Sequence, residues 1–131
     1  LLRHTKAAVG IASSLLNTET FGERYSQGQQ DAIITALILH DGLKHGVPKQ
    51  KYTIKNHPRA ICLHLEKNVD AGDCSLTTDQ RLAIYGMIES HMGQWTASDA
   101  DSPLPKPITG AQKFVHLCDY LASRKQLEYK F

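Results

Sequence analysis

Apolar residues recur at intervals of three and four along most of this chain. Ala8, Ile11, Ala12, Leu15 and Leu16 fall on one stripe of a first predicted helix, because side chains three and four apart share a helical face. Residues 17–28 lack that period and read as a loop. From about Gln29 to Leu43 a second helix is expected, with Ile33, Leu37, His40 and Lys44 on one face at offsets that stay within one stripe. That face turns polar towards its C-terminal end. Gly46-Val47-Pro48 breaks the helix, and His57-Pro58 starts another, with proline in the first turn where its missing N–H costs nothing. Thr77-x-x-Gln80 fits a capping box ahead of Leu82, Ile84, Tyr85 and Ile88, a set that leads down to His91 on the same side before Gly93 ends the helix. Residues 96–107 carry three of the five prolines and read as a loop. Thr109-x-x-Gln112 caps a final helix on which Val115, Cys118, Asp119 and Ala122 share a face. With no strand pattern, internal repeat or low-complexity tract, the expectation is an all-α fold, a compact bundle of five or more helices.

Length and composition bound this picture without redirecting it. At 131 residues the chain is one domain's worth, since single cores run to roughly 100–150 residues, and 1–131 is read as one unit. The net charge of +2, from 15 basic and 13 acidic residues, provides no large basic field that would by itself predict nucleic-acid binding, although nucleic acid stays possible as a substrate. No apolar run, Ala36 to Leu39 included, comes near the roughly 20 residues that cross a bilayer, and no signal-peptide pattern opens the chain. Cys62, Cys74 and Cys118 form no Cys-x-x-Cys pair and leave one over in any disulfide scheme. They are read as reduced packing residues of a cytoplasmic protein. A start at Leu1 without methionine, with His4 only three residues in, leads us to expect further residues upstream.

The anomaly is polar. His40-Asp41 closes the apolar stretch Ala36-Leu37-Ile38-Leu39, Asp119 lies inside the apolar stripe of the last helix, and His4, His57 and His91 each sit at or near a helix end. A buried charge is costly unless it is paired or bound to metal. Imidazole and carboxylate ligands without thiolates suit manganese, iron, zinc, nickel or cobalt better than calcium. His45, His64 and His116 are read as ordinary hydrogen-bonded side chains, with His64 an alternative to His57 because seven residues return to the same helix face. No Gly-x-Ser-x-Gly elbow, Walker loop or dinucleotide-binding glycine fingerprint is present, which lowers the expectation of serine hydrolase, P-loop or dehydrogenase chemistry.

The order His4, His40-Asp41, His57, His91, Asp119 resembles the HD superfamily of metal-dependent phosphohydrolases, with a His, a His-Asp doublet and a distant Asp on an all-α core. The resemblance covers nearly the whole chain and extends to Leu1-Leu2-Arg3-His4-Thr5, Leu37-Ile38-Leu39-His40-Asp41-Gly42-Leu43-Lys44, His57-Pro58 and Asp119-Tyr120-Leu121-Ala122-Ser123. It implies one or two divalent transition metal ions, iron or manganese first, with nickel, cobalt and zinc as alternatives. One ion would be held by His4, His40, Asp41 and Asp119, and Asp41 would bridge to a second at His57 and His91. Such ions activate water and neutralise phosphoryl oxygens in an in-line displacement, so Asp41 is the expected catalytic carboxylate. Lys44 is expected to contact and stabilise a phosphate, although a lysine at a helix C-terminus is also favoured by the macrodipole alone. Arg124 and Lys125 are candidate phosphate contacts and Trp95 a candidate stacking platform. The implied function is hydrolysis of a phosphomonoester or phosphodiester bond in a nucleotide. Alternatives are a phosphodiesterase or 3′-exonuclease-type domain acting on RNA or dinucleotides, and a non-catalytic signalling module.

Overall fold

The computed structural model describes residues 1–46, 48–69, 74–93 and 103–124, and among them there are six helices and no strand. They are α1 (Leu2–Leu16), α2 (Glu19–Gly22), α3 (Gln27–Leu39), α4 (His57–Lys67), α5 (Thr78–Glu89) and α6 (Gly110–Ala122). The chain is therefore all-α, as its apolar period predicts. Helix α1 packs against α6 and α3, α3 also against α5 and α6, and α5 against α6 and α4. Their inner faces meet in one core. Ala8, Ile11, Ala12 and Leu16 come from α1, Ile33, Ala36 and Leu37 from α3, Ile84, Met87 and Ile88 from α5, and Phe114, Val115 and Cys118 from α6. Ile61 and Cys62 of α4 close one side. No helix among the described residues is long and apolar enough to cross a membrane.

The helix starts follow their capping chemistry. Thr77 with Gln80 and Thr109 with Gln112 form reciprocal capping boxes, each side chain satisfying a backbone N–H that the first turn leaves without a helical partner. Pro58 stands in the first turn of α4.

Four expectations need correction, the simplest being that α5 ends at Glu89, so that His91 stands in the turn beyond it rather than on the helix before Gly93. Residues 17–28 are not a plain loop. Thr18 caps the single turn of α2, and Ser26 with Gln29 forms a third capping box that starts α3 at Gln27. Phe21 and Tyr25 pack their rings against Phe114 at 5.3 and 5.7 Å between centroids, which gives the segment an apolar anchor that periodicity does not register. Helix α3 ends at Leu39, not Leu43. The chain continues in three-residue turns, Gly42 N–H to Leu39 C=O, Lys44 to Asp41 and Gly46 to Leu43. Gly46, at a φ of 83°, then reverses direction in the left-handed region that glycine adopts without strain. Finally, Leu82 is exposed and Met87 takes the core position. Leu82 is two residues before Ile84, about 200° around the helix, and so faces away.

Candidate metal centre

The polar ends of these helices converge. His4 projects from α1, His40 and Asp41 from the end of α3, His57 from the start of α4, His91 from the turn after α5, and Asp119 from α6. His40, Asp41, His57 and His91 are only 0% to 5% exposed, a burial that ionisable groups tolerate only when compensated. Asp119 binds two imidazoles through one oxygen, with His4 Nε2 at 2.7 Å and His40 Nε2 at 3.1 Å from Oδ1. Asp41 divides its two oxygens. Oδ2 faces His40 Nε2 at 3.3 Å and His4 Nε2 at 3.9 Å, while Oδ1 faces His57 Nε2 at 3.1 Å and His91 Nε2 at 3.7 Å. Two compact groups result, His4/His40/Asp41/Asp119 and Asp41/His57/His91, and within each the candidate ligand atoms all lie within 4.8 Å of one another. Both are positioned to hold a metal ion.

Helix termini set the orientation of the rings. The last four carbonyls of a helix have no partner within it, and two of them are used here. His40 Nδ1–H donates to Leu37 C=O at 2.6 Å and His91 Nδ1–H to Ile88 C=O at 2.6 Å. His57 Nδ1–H donates to Ile54 C=O, in the approach to α4, at 2.8 Å. A carbonyl only accepts, so each Nδ1 carries its proton. In the neutral ring Nε2 is then a lone pair aimed at the centre, the arrangement that outer hydrogen bonds impose on metal-binding histidines. His57 Nε2 fits that use: it is buried and makes no hydrogen bond, although Asp41 Oδ1 is 3.1 Å away. The placement of Asp41 points the same way, since a carboxylate just past a helix C-terminus opposes the macrodipole and needs positive charge nearby.

The electrostatics show how strongly the two carboxylates call for positive charge beside them. Burial works against a charge on His40, but Asp119 and Asp41 outweigh it and hold its pKa up to about 10. Burial also works against the charges of Asp41 and Asp119. The imidazoles beside them prevail, His40 and His57 at Asp41 and His4 and His40 at Asp119, and keep both carboxylates ionised well below their usual range. Burial, seconded by the charge on His40, pushes His91 down to about 4, so this ring is neutral and able to ligate at neutral pH.

A cavity of about 310 Å³ opens onto the cluster. Lys44, Thr53, Met92, Ser123 and Arg124 complete its walls. Lys44 reaches it from the turns after α3 rather than from the expected helix, and its Nζ stands 3.9 Å from Asp41 Oδ2. Arg124 lies over the Tyr120 ring at 4.5 Å and donates to Ser123 Oγ at 3.1 Å. Trp95 and Lys125, the other two candidate substrate contacts, lie outside the described residues. His64 is exposed. It shares a face with His57 but sits two turns further on, about 10 Å along the axis. His45 and His116 make hydrogen bonds elsewhere, to the carbonyls of Gln50 and His91. Thr53 carries no signal in the sequence, being an isolated threonine in an aperiodic loop, and Ser123 figures there only as part of the stretch after Asp119.

No family model, curated protein or solved structure matches the chain in comparison.

Proposed function

We propose that this protein is a metal-dependent phosphohydrolase of the HD type, cleaving a phosphoester bond in a nucleotide-class substrate. The observation that carries the reading is Asp41, which turns one oxygen to each of two adjoining histidine-containing groups. Two ions, iron or manganese first, fit this donor set, with His4, His40 and Asp119 completing one site and His57 and His91 the other. Ions so placed supply Lewis-acid stabilisation of phosphoryl oxygens and a nucleophile drawn from water near neutral pH. The chain does the rest. Leu37, Ile54 and Ile88 lock the imidazole orientations through their carbonyls. Asp41, shared between the two groups, holds negative charge where it can orient an attacking water. Lys44 and Arg124, on the cavity wall, bring fixed positive charge to a bound phosphate.

The test is metal content per chain by elemental analysis, with hydrolysis of bis-p-nitrophenyl phosphate and p-nitrophenyl phosphate after Mn²⁺ addition. Metal together with turnover is expected. Protein that binds no transition metal and turns over neither ester is a non-catalytic module instead.

Two further results are expected. Mn²⁺ should raise the melting temperature and EDTA should reverse the shift. An ion bound only by the folded state and present at 100 times its Kd adds about 2.7 kcal/mol, which is several degrees in a domain of this size. Ca²⁺, which prefers an all-oxygen shell, should do much less, and equal shifts from the two ions would count against an imidazole-rich site. Lys44→Ala should leave metal content intact while raising KM about tenfold or more, because a charged hydrogen bond contributes roughly 1.5–3 kcal/mol. Elemental analysis and steady-state kinetics on the same preparation check both halves.

A further inference from the structure

The small net charge of the chain hides a strong segregation. Between Gly42 and Leu65 stand Lys44, Lys49, Lys51, Lys55 and Arg59, with no aspartate or glutamate among them, so the rest of the chain carries an excess of acid. Most of this basic stretch is the connection from α3 to α4, with Arg59 already in the first turn of α4, and it forms one wall of the metal cavity through Lys44, Thr53 and His57. Backbone hydrogen bonds close it on itself, Ile54 N–H to Lys44 C=O at 2.9 Å and Gln50 N–H to His45 C=O at 2.8 Å. Lys49, Lys51, Tyr52 and Lys55 are all exposed. Tyr52 is 72% exposed, an unusual place for a large aromatic ring, and Lys51 Nζ lies 5.4 Å from its centroid. An aromatic face beside a cation is the pairing that takes a base and its phosphate together.

We propose that this loop is a binding surface for a single-stranded polynucleotide and leads one end of it to the metal cavity. The surface stands on its own observations; the fate of the bound end rests on the phosphohydrolase reading. Size supports a polymer with one end inside. The cavity, at about 310 Å³, is at the lower limit of ligand pockets, which run from roughly 300 to 1,000 Å³. It takes a terminal nucleotide and leaves the rest of a chain outside. Tyr52 adjoins Thr53 at the cavity wall, and Lys51 and Lys55 stand two residues to either side of it, within about 7 Å along the chain. Bases then stack on Tyr52 while the lysines follow the phosphates, a mode that is tolerant of sequence and sensitive to salt.

The experiment is fluorescence anisotropy of labelled single-stranded oligouridine and oligothymidine of about ten nucleotides, titrated with the full chain at several salt concentrations. The wild type, Tyr52→Ala and the double variant Lys49→Ala/Lys51→Ala are compared. The double variant should bind about tenfold more weakly and lose about 1.4 from the slope of log affinity against log salt, since each single-strand phosphate contact contributes about 0.7. Tyr52→Ala should lose at least about fivefold, the lower end of a stacking contact. Hydrolysis of bis-p-nitrophenyl phosphate should be unchanged in all three. Absence of oligonucleotide binding by the wild type, or equal affinity in all three proteins, overturns the proposal, as does loop-dependent binding to phosphatidylserine vesicles without oligonucleotide binding. The two readings fail separately. Loop-dependent binding without any ester hydrolysis removes the phosphohydrolase and keeps the surface, whereas hydrolysis with loop-independent binding does the reverse.

Discussion

Asp41→Asn should empty both metal groups at once and reduce bis-p-nitrophenyl phosphate hydrolysis by more than about 100-fold. Mutating the outer partners of metal ligands already costs roughly 10–100-fold, and Asp41 is a candidate ligand of both groups. Asparagine keeps the shape but offers one carbonyl oxygen, and it turns an NH2 donor towards either the His4/His40 pair or the His57/His91 pair. Two lone pairs are lost from one side and the negative charge from both. Asp119→Asn is the comparison that gives the result its meaning. Asp119 belongs to only one group, so that variant should retain metal at Asp41, His57 and His91. Elemental analysis of both variants, with circular dichroism to establish folding, reads the difference. Wild-type metal content in folded Asp41→Asn would remove the shared-carboxylate reading.

A large loss of stability is expected from Gly93→Ala. Gly93 has a φ of 61°, where a residue with a side chain pays about 1–2 kcal/mol. A Cβ there would overlap Cε1 and Nε2 of the His116 imidazole. The ring must leave, and with it goes the 2.8 Å hydrogen bond between His116 Nδ1 and the His91 carbonyl. Strain, displacement and the lost hydrogen bond together should cost about 3 kcal/mol or more, a fall in melting temperature of about 10 °C for a domain of this size. Adding His116→Ala should restore part of it by removing the obstruction, leaving the backbone strain. Thermal melts of the two single variants and the double variant form the cycle. A melting temperature within about 2 °C of wild type for Gly93→Ala would mean that the turn after α5 is looser than its geometry implies. The same turn carries His91, so the double variant also shows how far the second metal group depends on that brace.

Much of this architecture is legible along the chain because its causes are local. The apolar stripe of α1, proline in the first turn of α4 and the boxes at Thr77 and Thr109 each act within a turn or two, and the helices are found there. Ser26-x-x-Gln29 carries the same cue, but the apolar period that would mark it as a helix start begins only later, at Ile33. The extent of α3 is not legible in the pattern, because the face containing His40 and Lys44 continues in register beyond the point where Gly42 and Gly46 let the backbone tighten and turn. The face of Leu82 is ambiguous in the same way, since a leucine at a helix start fits two nearby stripes and only packing chooses between them.

The candidate site divides in the same way. Residue identities were available from the sequence alone: a His-Asp doublet after an apolar run, an aspartate on an apolar face, and histidines at helix ends. So were the all-α class and most of the helix starts. Tertiary structure alone decides that five segments, spread from His4 to Asp119, meet within a few ångströms. It also decides which oxygen of Asp41 faces which histidines, that His57 rather than His64 approaches it, and that Thr53 and Ser123 reach the cavity wall. The physical reason is range. Caps, turns and amphipathic faces arise from interactions a few residues apart, whereas the direction of a carboxylate oxygen at the end of α3 depends on how α1, α4, α5 and α6 pack around it.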